Sequence, residues 1–360
     1  MSFADIPFNS TPNFKFQEII DDKADCLTST YQFDCYKEKS GRLILISPFF
    51  DIKNAVDLDY HIRLLNLETK EVLKKLEGHL DRVTMVRYFQ DPSNRKNYLV
   101  SADKRYSVLV WDLTDDCTNS EKIYEVSPKY EAHIYSCLLI FREEKMFLAT
   151  SSIDSNNPTK VYELELHKSN QNYNPVDLRD TNNCSVYFMA NWYNEQTGQN
   201  IIIQNTKNKI IFTEYPNNQT YHILETGEKY PYNQAGIVFK IRGEDFYAHS
   251  CTYGLVQIFD LAKKELVKKI EIGGDVHLYS FVFWNENYLL LNDCLQRRII
   301  VFDIFDDYKV KSKVLCPEMY FEKFIEKIVH PVYGESILSV GIDWKIKLYV
   351  NRSLLDDNSQ

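Results

Sequence analysis

The feature that most limits what this chain can fold into is a recurrence. A short alternating apolar run that ends at a turn returns seven times along the sequence. The runs close at Leu65-Asn66, Trp111-Asp112, Tyr162-Glu163, Thr213-Glu214, Phe259-Asp260, Phe302-Asp303 and Tyr349-Val350, in steps of 46, 51, 51, 46, 43 and 47 residues. Runs such as Ile62-Arg63-Leu64-Leu65 and Val256-Gln257-Ile258-Phe259 have the two-residue period of strands. A unit of this size cannot bury its apolar face by itself. It must stack on its neighbours, so the core lies between units and the 360 residues need not divide into ordinary domains.

One unit is explicit. Glu77-Gly78-His79 is followed, after 31 intervening residues, by Trp111-Asp112, with the strand-like Tyr98–Asp103 between them. This resembles the WD40 repeat, and the resemblance implies an all-β, seven-bladed β-propeller. It also implies that His79, Ser101, Asp103 and Trp111 form a buried hydrogen-bonded chain tying inner to outer strands, since buried polar groups persist only when satisfied. Asp103 stands two residues further from Trp111 than is usual, which implies a longer hairpin turn. His133, in Glu131-Ala132-His133, reads as the corresponding residue of blade three. Outer strands are expected after six of the seven marks, near 70–76, 122–126, 172–178, 220–224, 266–272 and 310–315. No outer strand follows the seventh mark, whereas Phe14–Ile20 has no role in blade one. We therefore expect residues 14–20 to pair with the last blade and close the ring, removing exposed sheet edges. The expected organisation is an N-terminal tail over 1–13, a single propeller over 14–350 and a C-terminal tail over 351–360.

Composition narrows the class. Hydrophobic residues make up 44%, enough for a sizeable core, and a net charge of −9 argues against a nucleic-acid or anionic-membrane footprint. No apolar stretch approaches a membrane span, and the first residues lack the basic and apolar regions of a secretory leader. The eight Cys form no Cys-x-x-Cys pair and read as scattered thiols of a reducing compartment. The expected location is intracellular, the cytoplasm before the nucleus. The eight His include no metal-binding spacing, and no phosphate loop or nucleophile elbow occurs. No metal, no cofactor and no enzymatic activity are expected. The Lys-rich stretches 70–75, 263–269 and 309–313 fall on outer strands, where Lys blocks edge-to-edge pairing.

The chain is thus expected to be a binding platform: a protein-interaction scaffold or subunit of a larger assembly, one propeller copy within a complex, its partners one or more proteins. A small-ligand or lipid-binding propeller is the alternative, with a cryptic propeller enzyme third. Two sub-motifs of the family are missing: Gln296-Arg297-Arg298-Ile299 lacks the Phe and Gly of a phosphoinositide site, and Thr114 and Ala262 stand where cullin-adaptor binders carry Arg. Extra residues at 47–58 and 151–159 lengthen second-to-third-strand turns, and those at 166–183 the link into blade four. In propellers of this kind such turns ring one mouth of the channel. The candidate partner-binding residues there are Phe49, Phe50 and Tyr60 in blade one, Arg105 and Tyr106 in blade two, Tyr253 in blade five, Arg297 in blade six and Trp344 in blade seven. Aromatic and Arg side chains are enriched at interface hot spots. Tyr60 and Trp344, beside the turn residues Asp59 and Asp343, could instead pack on their own turns.

Overall fold

The computed structural model describes residues 14–20, 33–54, 57–114, 116–126, 134–142, 144–152, 159–164, 175–178, 185–226, 233–251, 254–272, 276, 278–316, 324–330, 334–340 and 346–351. Their strands gather into seven separate four-stranded antiparallel sheets. Six sheets use consecutive strands: blade one spans 34–77, two 83–126, three 134–177, four 186–225, five 233–271 and six 278–315. The seventh combines Phe324–His330, Gly334–Val340 and Ile346–Asn351 with Phe14–Ile20 on its outside. Phe14 lies opposite Asn351 and Ile20 opposite Ile346, with a register shift between Phe16 and Glu18. Apart from a 3-10 turn at Cys117–Asn119, no helix occurs among the described residues. None is therefore long and apolar enough to cross a membrane. The fold is a seven-bladed β-propeller.

Burial follows the position of a strand in its blade. Second strands such as Asn97–Asp103 and Tyr288–Asp293 are buried at every residue, because both faces of the sheet meet neighbouring blades. That explains their near-continuous apolar runs. The outer strand Glu265–Glu271 is largely exposed, and its lysines find acidic partners, Lys268 reaching Asp307 of blade six at 2.6 Å. Apolar clusters fill every gap between neighbours, from Ile44, Leu64 and Leu99 between blades one and two onward round the ring. The last of them packs Phe33, Leu43 and Leu45 of blade one against Ile328, Leu338 and Leu348 of blade seven. Each such side chain, fully buried, is worth about 1.5–3 kcal/mol.

Polar contacts tie the inner strands of blades two to seven to the blades before them. Asp34 of blade one accepts the Tyr88 N–H of blade two at 2.7 Å. Arg87 reaches from blade two to the carbonyls of Cys137 (3.3 Å) in blade three and Met189 (2.8 Å) in blade four. Ser136 Oγ accepts the Met189 N–H at 3.1 Å. Asn205 donates to the Ala235 carbonyl at 3.2 Å, and Ser250 to that of Leu278 at 3.3 Å. Ser280 both donates to the Ile325 carbonyl (3.0 Å) and accepts its N–H (3.2 Å). At the blade four–five boundary the Tyr247 hydroxyl donates to Asn205 Oδ1 at 2.7 Å, and its ring occupies the space a Cβ at position 236 would need. Only glycine admits that approach.

Two expectations are corrected. The described residues of 47–58 are strand, not loop: Leu43–Asn54 and Asp57–Asn66 run on as a longer hairpin. Of the outer strand expected over 172–178, the described residues form strand only at Val176–Asp177, and 172–174 lie outside the described residues. The extra residues before it separate the third from the outer strand, so they belong to that turn and not to the link into blade four. Residues 153–158, and with them most of the insertion at 151–159, lie outside the described residues.

His249, in the second strand of blade five, is fully buried between the rings of Tyr247 and Phe259. Its Nε2 lies 2.9 Å from Gln257 Oε1 and its Nδ1 3.8 Å from Cys251 Sγ. An amide oxygen only accepts, so Nε2 carries the hydrogen and Nδ1 faces the thiol. Burial keeps the imidazole neutral, lowering its pKa from 6.5 to about 3, and pushes the Cys251 thiol up to about 12. Asp34 shifts the other way. Burial raises its pKa from 3.8 to about 6, against the hydrogen bonds from Tyr88 and Cys35 and the charge of Arg87.

Two outcomes follow. Removal of residues 1–20 strips the outer strand from blade seven and is expected to lower the melting temperature clearly; unchanged melting would mean that this pairing does not support the ring. The depressed pKa of His249 supports folding above pH 6.5, and that support is lost as pH falls from 6.5 towards 3. The raised pKa of Asp34 favours folding below pH 3.8, and that contribution is lost as pH rises through 6, so the two groups oppose each other between those values. A His249→Gln variant is expected to lose less stability on acidification below pH 6.5 than wild type, by up to ~1.4 kcal/mol per pH unit. Urea denaturation at stepped pH reads the difference, and equal slopes would show that His249 titrates normally.

Candidate functional site

The links into each blade and the turns between second and third strands lie on one side of the ring, called upper. The first-to-second and third-to-outer turns lie on the lower side. Just beneath the upper surface, blade two carries a buried polar chain. His79 Nδ1 lies 3.0 Å from Asp103 Oδ2 and Nε2 lies 2.7 Å from Ser101 Oγ, which also receives the Trp111 indole N–H at 2.8 Å. An ionised carboxylate only accepts, so Nδ1 donates to Asp103 and Nε2 accepts the Ser101 hydroxyl. The second oxygen of Asp103 takes the backbone N–H groups of Arg105 (2.9 Å) and Ser107 (3.0 Å). The chain thereby anchors a second-to-third-strand turn over 104–107, in which Tyr106 takes a left-handed φ of 69°. Blade five replaces this chain with the His249–Gln257 pair, and blade four with Gln204 donating to Thr213 at 3.3 Å. His133 lies outside the described residues.

The candidate contact residues fare differently. Phe49 is 1% exposed, with the Arg63 guanidinium 3.0 Å above its ring and His61 at 5.3 Å. It holds its own hairpin together and cannot meet a partner. Tyr60 is half-buried and sits opposite Phe50 in the hairpin. Tyr106 is half-buried against the core between blades two and three. Arg105 is exposed, its Nε 3.5 Å from Asp81 Oδ2, and Arg297 is exposed in a left-handed conformation (φ 50°) on blade six. The Phe50 side chain, Tyr253 and Trp344 lie outside the described residues.

The upper rim also holds residues that the sequence reading missed. The inner strands of blades two to six each carry a register shift near their start, spanning Thr84, Tyr135, Tyr187, Gln234 and Tyr279. A bulge re-aims its side chain. Tyr135, 43% exposed, meets Tyr187 of the next blade edge-on, the ring centroids 5.9 Å apart. Leu80, in the link into blade two, is 69% exposed. An apolar residue followed by Tyr at the start of an inner strand occurs in Ile134-Tyr135, Val186-Tyr187 and Leu278-Tyr279. That repeated pair was a legible signal.

The lower side offers two further features. Glu38, Asp116 and Cys117 bring three potential metal-ligating atoms together. Their chemistry is already taken up. Arg42 holds Glu38 at 2.7 Å and Asp116 at 3.1 Å, and the Cys117 N–H donates to Glu38 at 2.9 Å. Burial alone would raise the Glu38 carboxyl, yet these hydrogen bonds keep it below its usual range, while burial pushes the Cys117 thiol up to about 12. The group is a guanidinium-held latch between blades one and two. The other feature is a cavity of about 870 Å³, framed by the inner strands of blades two to five where they reach the lower mouth of the channel.

No protein-family model and no curated protein matches the sequence. Among solved structures, the fold is similar to the β-propeller domain of Cps50 (Swd1) from Myceliophteria thermophila. The TM-score is 0.61 at 14% identity, covering 94% of this chain and 99% of that one. The likeness is one of fold, that of a β-propeller.

Replacing His79 with Ala leaves Asp103 and Ser101 each short of a partner in a buried setting, an expected cost of about 1–3 kcal/mol. Chemical denaturation of His79→Ala against wild type measures it, and a difference within error would show that blade two does not depend on the chain.

Proposed function

We propose that this chain is a non-catalytic protein-interaction scaffold, or a subunit of a larger assembly, that receives its protein partners on the upper rim of the propeller. The observation that carries this reading is the exposed Tyr135, braced edge-on by Tyr187 on adjacent blades. Leu80 and Arg105 on blade two add an exposed apolar side chain and an exposed guanidinium on the same side of the ring. Aromatic and Arg anchors dominate binding energy because they join large contact area to several donors. They also lose little freedom on binding when already held in place. The inner strands of blades two to four, which follow Leu80 and carry Tyr135 and Tyr187, provide that hold through the contacts of Asp34, Arg87 and Ser136. The net charge of −9 favours protein partners over nucleic acid.

The test is affinity purification from native cells with wild type and a Leu80→Ser, Arg105→Ala, Tyr135→Ser variant of unchanged melting temperature. Each true anchor is expected to contribute about 2 kcal/mol or more, so at least one wild-type partner should be lost. Retention of every partner would move the contact surface to the outer rim or the lower face.

A further inference from the structure

On the lower side of the ring an exposed cation rests on an exposed ring. Arg242 and Gly243 form the turn between the first and second strands of blade five, with Ile241 opposite Glu244 and φ of 50° and 86°. A two-residue turn with both φ positive is tight and fixes the register of its strands. Phe305 stands in the third-to-outer turn of blade six. Ile304 and Tyr308 of that turn are buried in the cluster between blades five and six. Asp303 Oδ1 accepts the N–H groups of Phe305 at 3.1 Å and Asp306 at 3.2 Å, which fixes the turn. The Phe305 ring is nevertheless 50% exposed, and the Arg242 guanidinium, also exposed, lies 4.8 Å from its centre.

The acids of these two turns are already matched. Lys309 binds Asp306 at 2.9 Å, Lys268 binds Asp307 at 2.6 Å, Lys311 lies 3.7 Å from Asp303, and Lys263 lies 4.0 Å from Glu244. Arg242 differs. Among the described residues it has no carboxylate partner, and its contact is the Phe305 ring. A guanidinium stacked on an aromatic ring is held by its flat side. Its N–H groups stay free at the edge, where they fit the two oxygens of a carboxylate.

We propose that Arg242 and Phe305 form a second docking surface, for an extended protein segment that sets a carboxylate beside a bulky apolar side chain. The carboxylate takes the guanidinium edge and the apolar group packs on the ring. Charge selects this occupant. A single unmatched cation suits one carboxylate, whereas a nucleic acid would bring further phosphates against Asp303, Asp306 and Asp307. Arg and aromatic side chains are strong anchors, and these two are held in place before the partner arrives. The surface shares no residue with the upper rim, so the two succeed or fail separately.

The experiment selects peptides from a phage-displayed library of random dodecamers. The bait is the full chain carrying Leu80→Ser, Arg105→Ala and Tyr135→Ser, which takes the upper-rim anchors out of the selection. Selected peptides are expected to share an Asp or Glu close to a Leu, Ile, Met or aromatic residue. A synthetic copy is expected to bind the wild-type chain saturably, one per chain. Its affinity should fall about tenfold or more against Arg242→Asn and against Phe305→Ser, with melting temperatures unchanged. Asn tolerates the left-handed φ at 242, so that variant removes the charge and keeps the turn; it alone decides if Phe305→Ser melts lower. Replacing the peptide's acid by its amide should weaken binding to wild type by a similar factor, yet change little against Arg242→Asn. No selected peptide, peptides without the acid and apolar pair, or binding that ignores Arg242→Asn would overturn the proposal. Tighter binding of single-stranded RNA through the same two residues would also overturn it, in favour of a phosphate site.

Discussion

The structure depends on how the innermost edge of each blade is satisfied. A four-stranded sheet has two edges, and the one facing the channel has no further strand to pair with. Its peptide groups are too enclosed to be left unsatisfied, since an unpaired buried backbone group costs as much as a lost hydrogen bond. Here the side chains of preceding blades supply the missing partners. Met189 has its N–H held by Ser136 and its carbonyl by Arg87, and Ile325 has both groups held by the single hydroxyl of Ser280. The contacts that satisfy one blade also set its angle to the next. Apolar clusters between blades supply most of the stabilisation, but they are tolerant of sliding. Directional bonds at the hub are not.

Much of this was legible in the sequence. The blade number followed from the recurrence of apolar runs, because a stacked unit must repeat its strand pattern wherever it occurs. The chain of His79, Ser101, Asp103 and Trp111 could be read because those four side chains make a hydrogen-bonded set only in combination, so their joint presence is informative. The hub could not be read in the same way. Its partners, such as Asp34 with Tyr88 or Ser136 with Met189, lie more than 50 residues apart and bond through the backbone, which leaves no trace in residue identity. The insertion in blade one was misplaced because alternation alone does not tell a lengthened strand from a lengthened loop. Phe49, judged a contact residue by type, is buried by an Arg63 whose proximity only the hairpin register creates.

The two ends of the channel differ because different parts of the inner strands reach them. Near their starts, bulges turn single residues such as Tyr135 towards the upper rim. Towards their far ends, residues of the inner strands of blades two to five line a cavity. One set of strands thus presents an exposed aromatic side chain at one end of the channel and a cavity at the other. Each has a separate residue basis, so the two can change independently.

The pairing of Phe14–Ile20 with Ile346–Asn351 joins segments about 330 residues apart in the chain. At equilibrium such a span adds little, since each doubling of a closed loop costs only about 0.6 kcal/mol. During synthesis it matters more. At roughly 5–20 residues per second, the ribosome takes on the order of tens of seconds to deliver the partner strand after the first has emerged. Through that interval an apolar strand with both edges open waits while six blades assemble beside it. Its sequence, Phe14-Lys15-Phe16-Gln17-Glu18-Ile19-Ile20, carries a Lys and a Glu, and charge on a waiting strand discourages pairing with another nascent copy.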